Sequence, residues 1–227
     1  FIPFMAYRQT AAVEARLKDN RSRILDAART LVSEGGWQEA QVASVAAAAG
    51  IATGTVYRYF PSKAALFAEV LSAVSQREVD VLTAIAETDD TATGRLHTAV
   101  ATFVLRAMRD PRLAYALIAE PCDKEIDEAR LTYRAAISEV IRSIIASGQS
   151  AKGMRSDIQP DIAASVIVGG FMEGLIGPLS PLSRHQHPDN ENYQREVAML
   201  ADQIARLACA SVAIPSATLR QISRRRS

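Results

Sequence analysis

This sequence is short of the residues that carry covalent or metal chemistry. It has only two cysteines in 227 residues, Cys122 and Cys209, far apart and in no metal-like spacing. Two buried free thiols are expected rather than a disulfide, which suits a reducing compartment. Glycine and proline are few and fall mostly in gaps between periodic runs. No apolar run approaches the roughly 18 residues a membrane span needs. The opening Phe1-Ile2-Pro3-Phe4 is too short for a signal peptide and lacks a charged leader, with Met5 a candidate natural start. The expectation is a cytoplasmic protein with no membrane partner.

A strong charge of one sign is also missing. The formal net charge is +1, so the whole chain does not announce a nucleic-acid partner. The distribution says more. Residues 1–70 carry eight Lys or Arg against six Asp or Glu, whereas residues 71–219 carry fourteen against nineteen. Arg220, Arg224, Arg225 and Arg226 then crowd the last eight residues. A mildly basic head on an acidic body is compatible with DNA binding at one end only.

What is abundant is Ala, Leu, Arg and Glu, whose side chains lose little entropy in a helix. An all-α fold is expected. The first helix is placed from about residue 19 or 20, where Asp19 and Asn20 are good N-caps, to Glu34 before Gly35-Gly36. Its apolar residues Ile24, Ala27, Ala28, Leu31 and Val32 recur at three and four, so one face is buried. Short helices follow at about 41–49 and 52–59, the second ending before Pro61. Ser62 caps a long helix to about Glu87. Further helices are expected at about 92–109, 112–119, 121–147, 160–176 and 191–213. Pro121 would open the third of these, Gly148 would cap it, and Gly177-Pro178 would close the fourth. Residues 178–189 read as an exposed loop, and residues 215–227 as a disordered basic tail.

The segment from Val42 to Phe60 holds the functional signal. Two helices crossing steeply through a turn need a small residue on the first and positive φ in the turn. Ala46 and Gly50 meet these demands, while Val45, Ala49, Ile51 and Val56 can bury the shared seam. The second helix then offers Thr53, Thr55, Tyr57, Arg58 and Tyr59 within seven residues. Entering the major groove by its N-terminus, such a helix can present Thr53 and Thr55 to base edges and Tyr57 and Tyr59 to phosphates. Lys63, in the first turn of the next helix, adds a charge beside free N–H groups. The plainer alternative is a tight helical hairpin with surface threonines.

The wider pattern bears on that choice. Arg23-Ile24-Leu25-Asp26-Ala27-Ala28, Glu34-Gly35-Gly36-Trp37, Val45 through Ile51, Gly54 through Phe60, and Lys63-Ala64-Ala65-Leu66-Phe67 together resemble the TetR/AcrR-type DNA-binding domain. The resemblance covers roughly residues 20–68. It implies a helix-turn-helix whose recognition helix is about 52–59. Tyr57, Tyr59 and Lys63 then stand at positions that touch the DNA backbone, and Thr53 and Thr55 at base-facing ones. Ser44, Gly54 and Arg58 complete the candidate DNA-binding set. Two positions depart from the pattern: Ala40-Gln41 precedes the second helix where Thr or Ser is usual, and Ala52 follows the turn. A missing cap costs about 1 kcal/mol.

The resemblance further implies a three-helix DNA-binding domain over residues 15–68 and a helical ligand-binding and dimerisation domain over 69–214, about nine helices in all. It implies a homodimeric repressor of a palindromic double-stranded operator, released by a small-molecule effector. Its last two long helices would pair with their twins, a role that Val166, Gly169, Gly170, Glu173, Gly174 and Gly177 along one side of a helix suit. Val197, Leu200, Ile204, Leu207 and Ala208 on the final helix are core or interface. Phe103, Met108, Tyr115, Tyr133, Phe171, Met172 and Glu173 are the pocket candidates, with Glu120 a further polar anchor. Met and aromatic side chains suit an adaptable apolar pocket, so the effector is expected to be small and largely apolar.

An enzyme is not expected. Asp89-Asp90 has Thr93 where a third carboxylate would complete a magnesium cluster. The pair His185 and His187 sits in a Pro-flanked loop without partner ligands. No nucleophile–base pairing is visible, and no catalytic residue, metal or cofactor is assigned. A third possibility keeps the fold but gives it a degenerate head that binds no DNA.

Overall fold

The computed structural model describes residues 11–183 and 191–214. These residues form nine helices and no strands. In order they are α1 (Ala11–Glu39), α2 (Val42–Ala48), α3 (Thr53–Tyr59), α4 (Lys63–Ala86) and α5 (Ala92–Ala107), then α6 (Pro111–Ile118), α7 (Lys124–Ser150), α8 (Pro160–Leu179) and α9 (Glu191–Val212).

Helix α1 starts well before the predicted Asp19 or Asn20, because its first turns are built from strong helix formers that need no partner. Residues 13–19 are exposed. Asn20 is no cap; its amide donates to the Tyr59 hydroxyl at 3.3 Å. At the other end the regular helix is interrupted at Gly35-Gly36, as expected. It bends at Gly36 (φ 77°, ψ −169°), a backbone conformation open in practice only to glycine, and resumes for one turn to Glu39.

Three helix starts carry side-chain caps. The hydroxyl of Ser62 accepts from the Ala65 N–H at 2.9 Å, Thr91 from Gly94 at 3.0 Å, and Asp110 from Leu113 at 3.1 Å. Ser62→Ala is expected to cost about 1 kcal/mol, read as a lower urea midpoint at unchanged slope.

Helix α7 differs from expectation at both ends. It begins at Lys124 rather than Pro121, because Arg130 reaches back over the connection. Its guanidinium donates to the carbonyls of Leu117 (3.0 Å) and Glu120 (2.8 Å) and contacts the Cys122 sulfur, leaving residues 121–123 outside the helix. Gly148 is not a cap but a buried residue inside the last turn of the helix. A Cβ there would lie 2.6 Å from the Met154 sulfur and 2.8 Å from the Ala92 Cβ. The helix ends instead at Ser150, with Ala151 as its cap, and Lys152 takes the positive φ of 57°. Gly177-Pro178 likewise fails to close α8, which runs on to Leu179. His185 and His187 lie outside the described residues, as does the tail from Pro215. Both thiols are free but only half-buried, not buried as expected, and partial burial raises the pKa of each.

Two cores result. The first joins α1–α4 around Ile24, Ala28, Val32, Val45, Val56 and Phe67, and also takes in Leu113 and Ala116 of α6 and Ile126 of α7. The second fills the body between α5, α7, α8 and α9. In the body α4 runs along α7, α5 packs on α9, and α7 on α8. Helix α8 is long and apolar enough to cross a membrane by length and composition, contrary to the sequence reading. Here one face of it packs into the body core through Ala164, Ile167, Val168, Phe171 and Leu175.

Candidate functional site

The turn between α2 and α3 is built by small and apolar residues. Val42, Val45 and Ala46 recur at three and four and are buried, so α2 seats one face on the head. Gly50 then adopts φ +66°, which an L side chain takes only with strain. The N–H groups of Ala49, Gly50 and Ile51 bond back to the carbonyls of Val45, Ala47 and Ala46 at 2.8–3.1 Å. Val56, 1% exposed, anchors α3 from beneath. Arg23 of α1 braces the turn by donating to the Ala49 carbonyl. Neither α2 nor α3 has a side-chain N-cap, in keeping with Gln41 and Ala52 at those positions; the Gln41 amide donates to the Gln38 carbonyl instead.

The outer side of α3 carries the predicted residues. Thr53, Gly54, Tyr57 and Arg58 are exposed, with Tyr57 showing 50% of its surface, and Ser44 on α2 is exposed too. Thr55 is half-buried. So is Tyr59, whose ring packs on the head core and whose hydroxyl accepts from Asn20. Lys63, at the start of α4, holds its amine 5.7 Å from the centre of the Phe67 ring. Arg21 lies over Phe60 and pairs with Glu69. The structure thus brings the DNA-binding candidates to one end of the molecule on α2, α3 and the start of α4.

Beneath the head lies a cavity of about 240 Å³ bounded by α1, α4, α5, α6, α7 and α8. Of the seven pocket candidates, Phe103, Tyr133 and Met172 line it. The other four pocket candidates do not. The carbonyl of Met108 accepts from the Tyr193 hydroxyl at 3.0 Å deeper in the body, where burial raises the Tyr193 pKa. Phe171 stands behind Phe103, with ring centres 4.8 Å apart. Tyr115 lies under the Arg112 guanidinium, and Glu173 is exposed on the outer face of α8.

Sequence reasoning missed the polar part of this cavity. Arg106 meets Glu78 in a two-pronged ion pair, both contacts at 2.7 Å; this hydrogen bonding raises the Arg106 pKa. Arg29 of α1 and Arg134 of α7 line the cavity as well, with their Nε atoms buried and unpaired. The available signal is on α7: Arg130 and Arg134 stand four apart beside Tyr133 and Ile137, so one face mixes charge with apolar surface.

Helix α6 forms one cavity wall and is tied on its other side to α1. Asp110 lines the cavity, caps α6, and accepts from the Ser33 hydroxyl at 2.7 and 2.8 Å. The Trp37 indole donates to the Ala116 carbonyl at 2.8 Å, and Arg112 donates to the Gly35 carbonyl at 2.8 Å. Glu120, a candidate pocket anchor, instead pairs with Arg112 through two 2.9 Å contacts and faces the Trp37 N–H. These bonds make α6 a physical link between cavity and head, beside α1 and α4, which line the cavity themselves.

Residues 24–70 match the family model described as bacterial regulatory proteins, tetR family. The repressor KstR of Rhodococcus jostii is 47% identical over 60 residues, which are 26% of this chain and 28% of that protein. The chain therefore matches little more than a quarter of that curated relative's length. Over the whole fold, FadR from Bacillus subtilis, solved with stearoyl-CoA, superposes with a TM-score of 0.70 at 18% identity, covering 84% of this chain and 98% of that one. SmeT of Stenotrophomonas maltophilia, solved with triclosan, gives 0.68 at 16% identity, covering 87% and 93%. The match to the tetR family model thus lies on the helix-turn-helix head, and the helical body shares the fold of these solved structures.

Proposed function

We propose that this protein is a ligand-responsive transcriptional repressor that binds a palindromic operator as a homodimer and releases it when a small, partly apolar effector fills the cavity. The single observation that carries this reading is α3 itself: a short helix anchored by one buried valine that offers Thr53, Tyr57 and Arg58 to solvent. Residues 15–68 form the DNA-binding domain in this reading, and 69–214 the effector and dimer domain. Thr53 and Thr55 face base edges. Ser44, Tyr57, Arg58, Tyr59 and Lys63 hold phosphates, and Gly54 lets the backbone approach closely. The protein acts in the cytoplasm, where its DNA target lies.

A dimer would place two α3 helices in successive major grooves about 34–36 Å apart, or a multiple of that. The outer faces of α8 and α9 suit the contact. Ile162, Val166, Met199 and Leu207 are between 58% and 77% exposed, and a Cβ added at Gly169, Gly170 or Gly177 would meet open space. Small residues let a twin helix approach closely. An effector that reshapes the cavity moves α6, and through Ser33, Trp37 and Gly35 it moves α1 and the head. A coupling of about 1–3 kcal/mol suffices for a 5- to 150-fold change in operator affinity.

Gel shift on the DNA flanking the protein's own gene tests the reading. Binding should weaken steeply with salt, as phosphate contacts demand. The double substitution Tyr57→Ala with Lys63→Met is expected to weaken operator binding by about 10- to 100-fold. Dimer mass and melting temperature should stay close to those of the parent, since Tyr57 is exposed and Met keeps an apolar stem over Phe67. Undiminished DNA binding by that variant, or no shift by the parent on any palindrome there, would defeat it.

A further inference from the structure

The effector cavity has a charge that its own walls leave unmatched. Five guanidinium groups line it against two carboxylates. Both carboxylates are committed: Glu78 to Arg106, and Asp110 to Ser33 and the α6 cap. Arg130 is also satisfied, by Asp127 and by backbone carbonyls. Arg29 and Arg134 are not. Neither has a carboxylate within ion-pair distance among the described residues. Arg29 makes no hydrogen bond there, Arg134 makes one long one to the Ile118 carbonyl, and both hold a buried Nε–H without an acceptor. A buried guanidinium N–H with no acceptor is unfavourable, and the planar fork is matched best by an oxyanion. The lining also has an apolar part, with Phe103, Ile137 and Met172.

We propose that the effector is an amphipathic organic anion, its oxyanion head held by Arg29 and Arg134 and its apolar body laid along Phe103, Ile137 and Met172. This deepens the effector reading above and rests on it. The volume, below the roughly 300–1,000 Å³ of pockets for drug-sized ligands, calls for a small molecule. A carboxylate and a phosphate share the needed chemistry. Arg29 sits on α1, the helix that carries the head, so the anion's grip falls directly on the DNA-binding end.

Isothermal titration of the full-length parent separates the possibilities. The probes are octanoate, 4-phenylbutyrate and octyl phosphate, each compared with its neutral partner: octanamide, 4-phenylbutanamide or octanol. At least one anion is expected to bind tenfold or more tightly than its neutral partner. Arg29→Gln and Arg134→Gln should each erase that preference while leaving weak neutral binding unchanged. Arg109→Gln, exposed and outside the cavity, is the control and should retain it. A stronger response to octyl phosphate than to the carboxylates would identify the head as phosphate. Equal binding of charged and neutral partners, no binding by any anion, or an anion preference that survives both arginine substitutions would overturn the proposal. Protein that retards operator DNA yet shows no anion preference overturns this inference alone. Protein that prefers the anion but retards no DNA overturns the repressor reading and leaves the anion site standing.

Discussion

Gly36→Ala is expected to destabilise the protein by about 3 kcal/mol or more, through two effects that act together. The backbone there (φ 77°, ψ −169°) is one that an alanine occupies only with strain of about 1–3 kcal/mol. The added Cβ would also stand 1.6 Å from an Arg112 nitrogen and 2.5 Å from a Glu120 oxygen, so the largely buried ion pair must part. Breaking such a pair costs about 3–5 kcal/mol where both charges stay buried; here some relaxation toward solvent lowers that figure. For a chain of this size, 3 kcal/mol corresponds to a melting temperature lower by roughly 6–12 °C. Gly54→Ala supplies the contrast. Gly54 lies inside α3, and a Cβ there meets nothing within 4 Å. The helix gains up to about 1 kcal/mol from the change. Thermal unfolding of both variants should therefore shift in opposite directions. A Gly36→Ala loss below about 1 kcal/mol would mean that the bend and its ion pair yield to an added methyl group without breaking.

The second large effect concerns the outer faces of α8 and α9. Val166→Glu with Leu207→Glu is expected to turn a dimer into a monomer at micromolar concentration. Val166 and Leu207 are 65% and 77% exposed in the single chain, so glutamate at either place leaves the protomer's core untouched. In a twofold contact each substitution counts twice, because the same patch faces its copy. Each large apolar side chain withdrawn from water contributes about 1.5–3 kcal/mol, and four of them would be replaced by mutually repelling carboxylates. Operator affinity should fall with the dimer, since one head then binds one half-site alone. Analytical ultracentrifugation measures the first effect and gel shift the second. A parent that sediments as a monomer, or a variant that sediments as a dimer, would remove this interface from the account.

The head was largely legible in the sequence because its determinants are local. Ala46, Gly50 and Val56 meet their geometric demands within eleven residues, and the structure sets them as a small crossing residue, a positive-φ turn and a buried anchor. The body was legible as helices but not as helix ends. Pro121 and Gly148 carry strong local signals for a start and a stop, yet Arg130, reaching back over the connection, and Met154 with Ala92, packed on Gly148, override both through side-chain contacts beyond the neighbouring positions. The pocket was half legible. Phe103, Tyr133 and Met172 have the chemistry of a binding wall, but so do Met108 and Phe171, and helical spacing alone does not distinguish a wall from the layer behind it. The arginines escaped notice because a charged residue on an amphipathic helix ordinarily faces water.

By itself, then, the order of residues determined the helical character, the sharp bend at Gly50 and the hydroxyl-bearing helix beyond it, since each depends on neighbours a few positions away. Tertiary packing alone decided that Glu120 binds Arg112 at the α1 bend rather than a ligand, and that α6 joins cavity to head. It also decided that Arg29 and Arg134, 105 positions apart, line one cavity with neither paired to a carboxylate among the described residues. The physical reason is range. Backbone conformation answers to nearby residues, whereas the pairing of a buried charge depends on whichever distant groups the folded chain brings within a few ångströms of it.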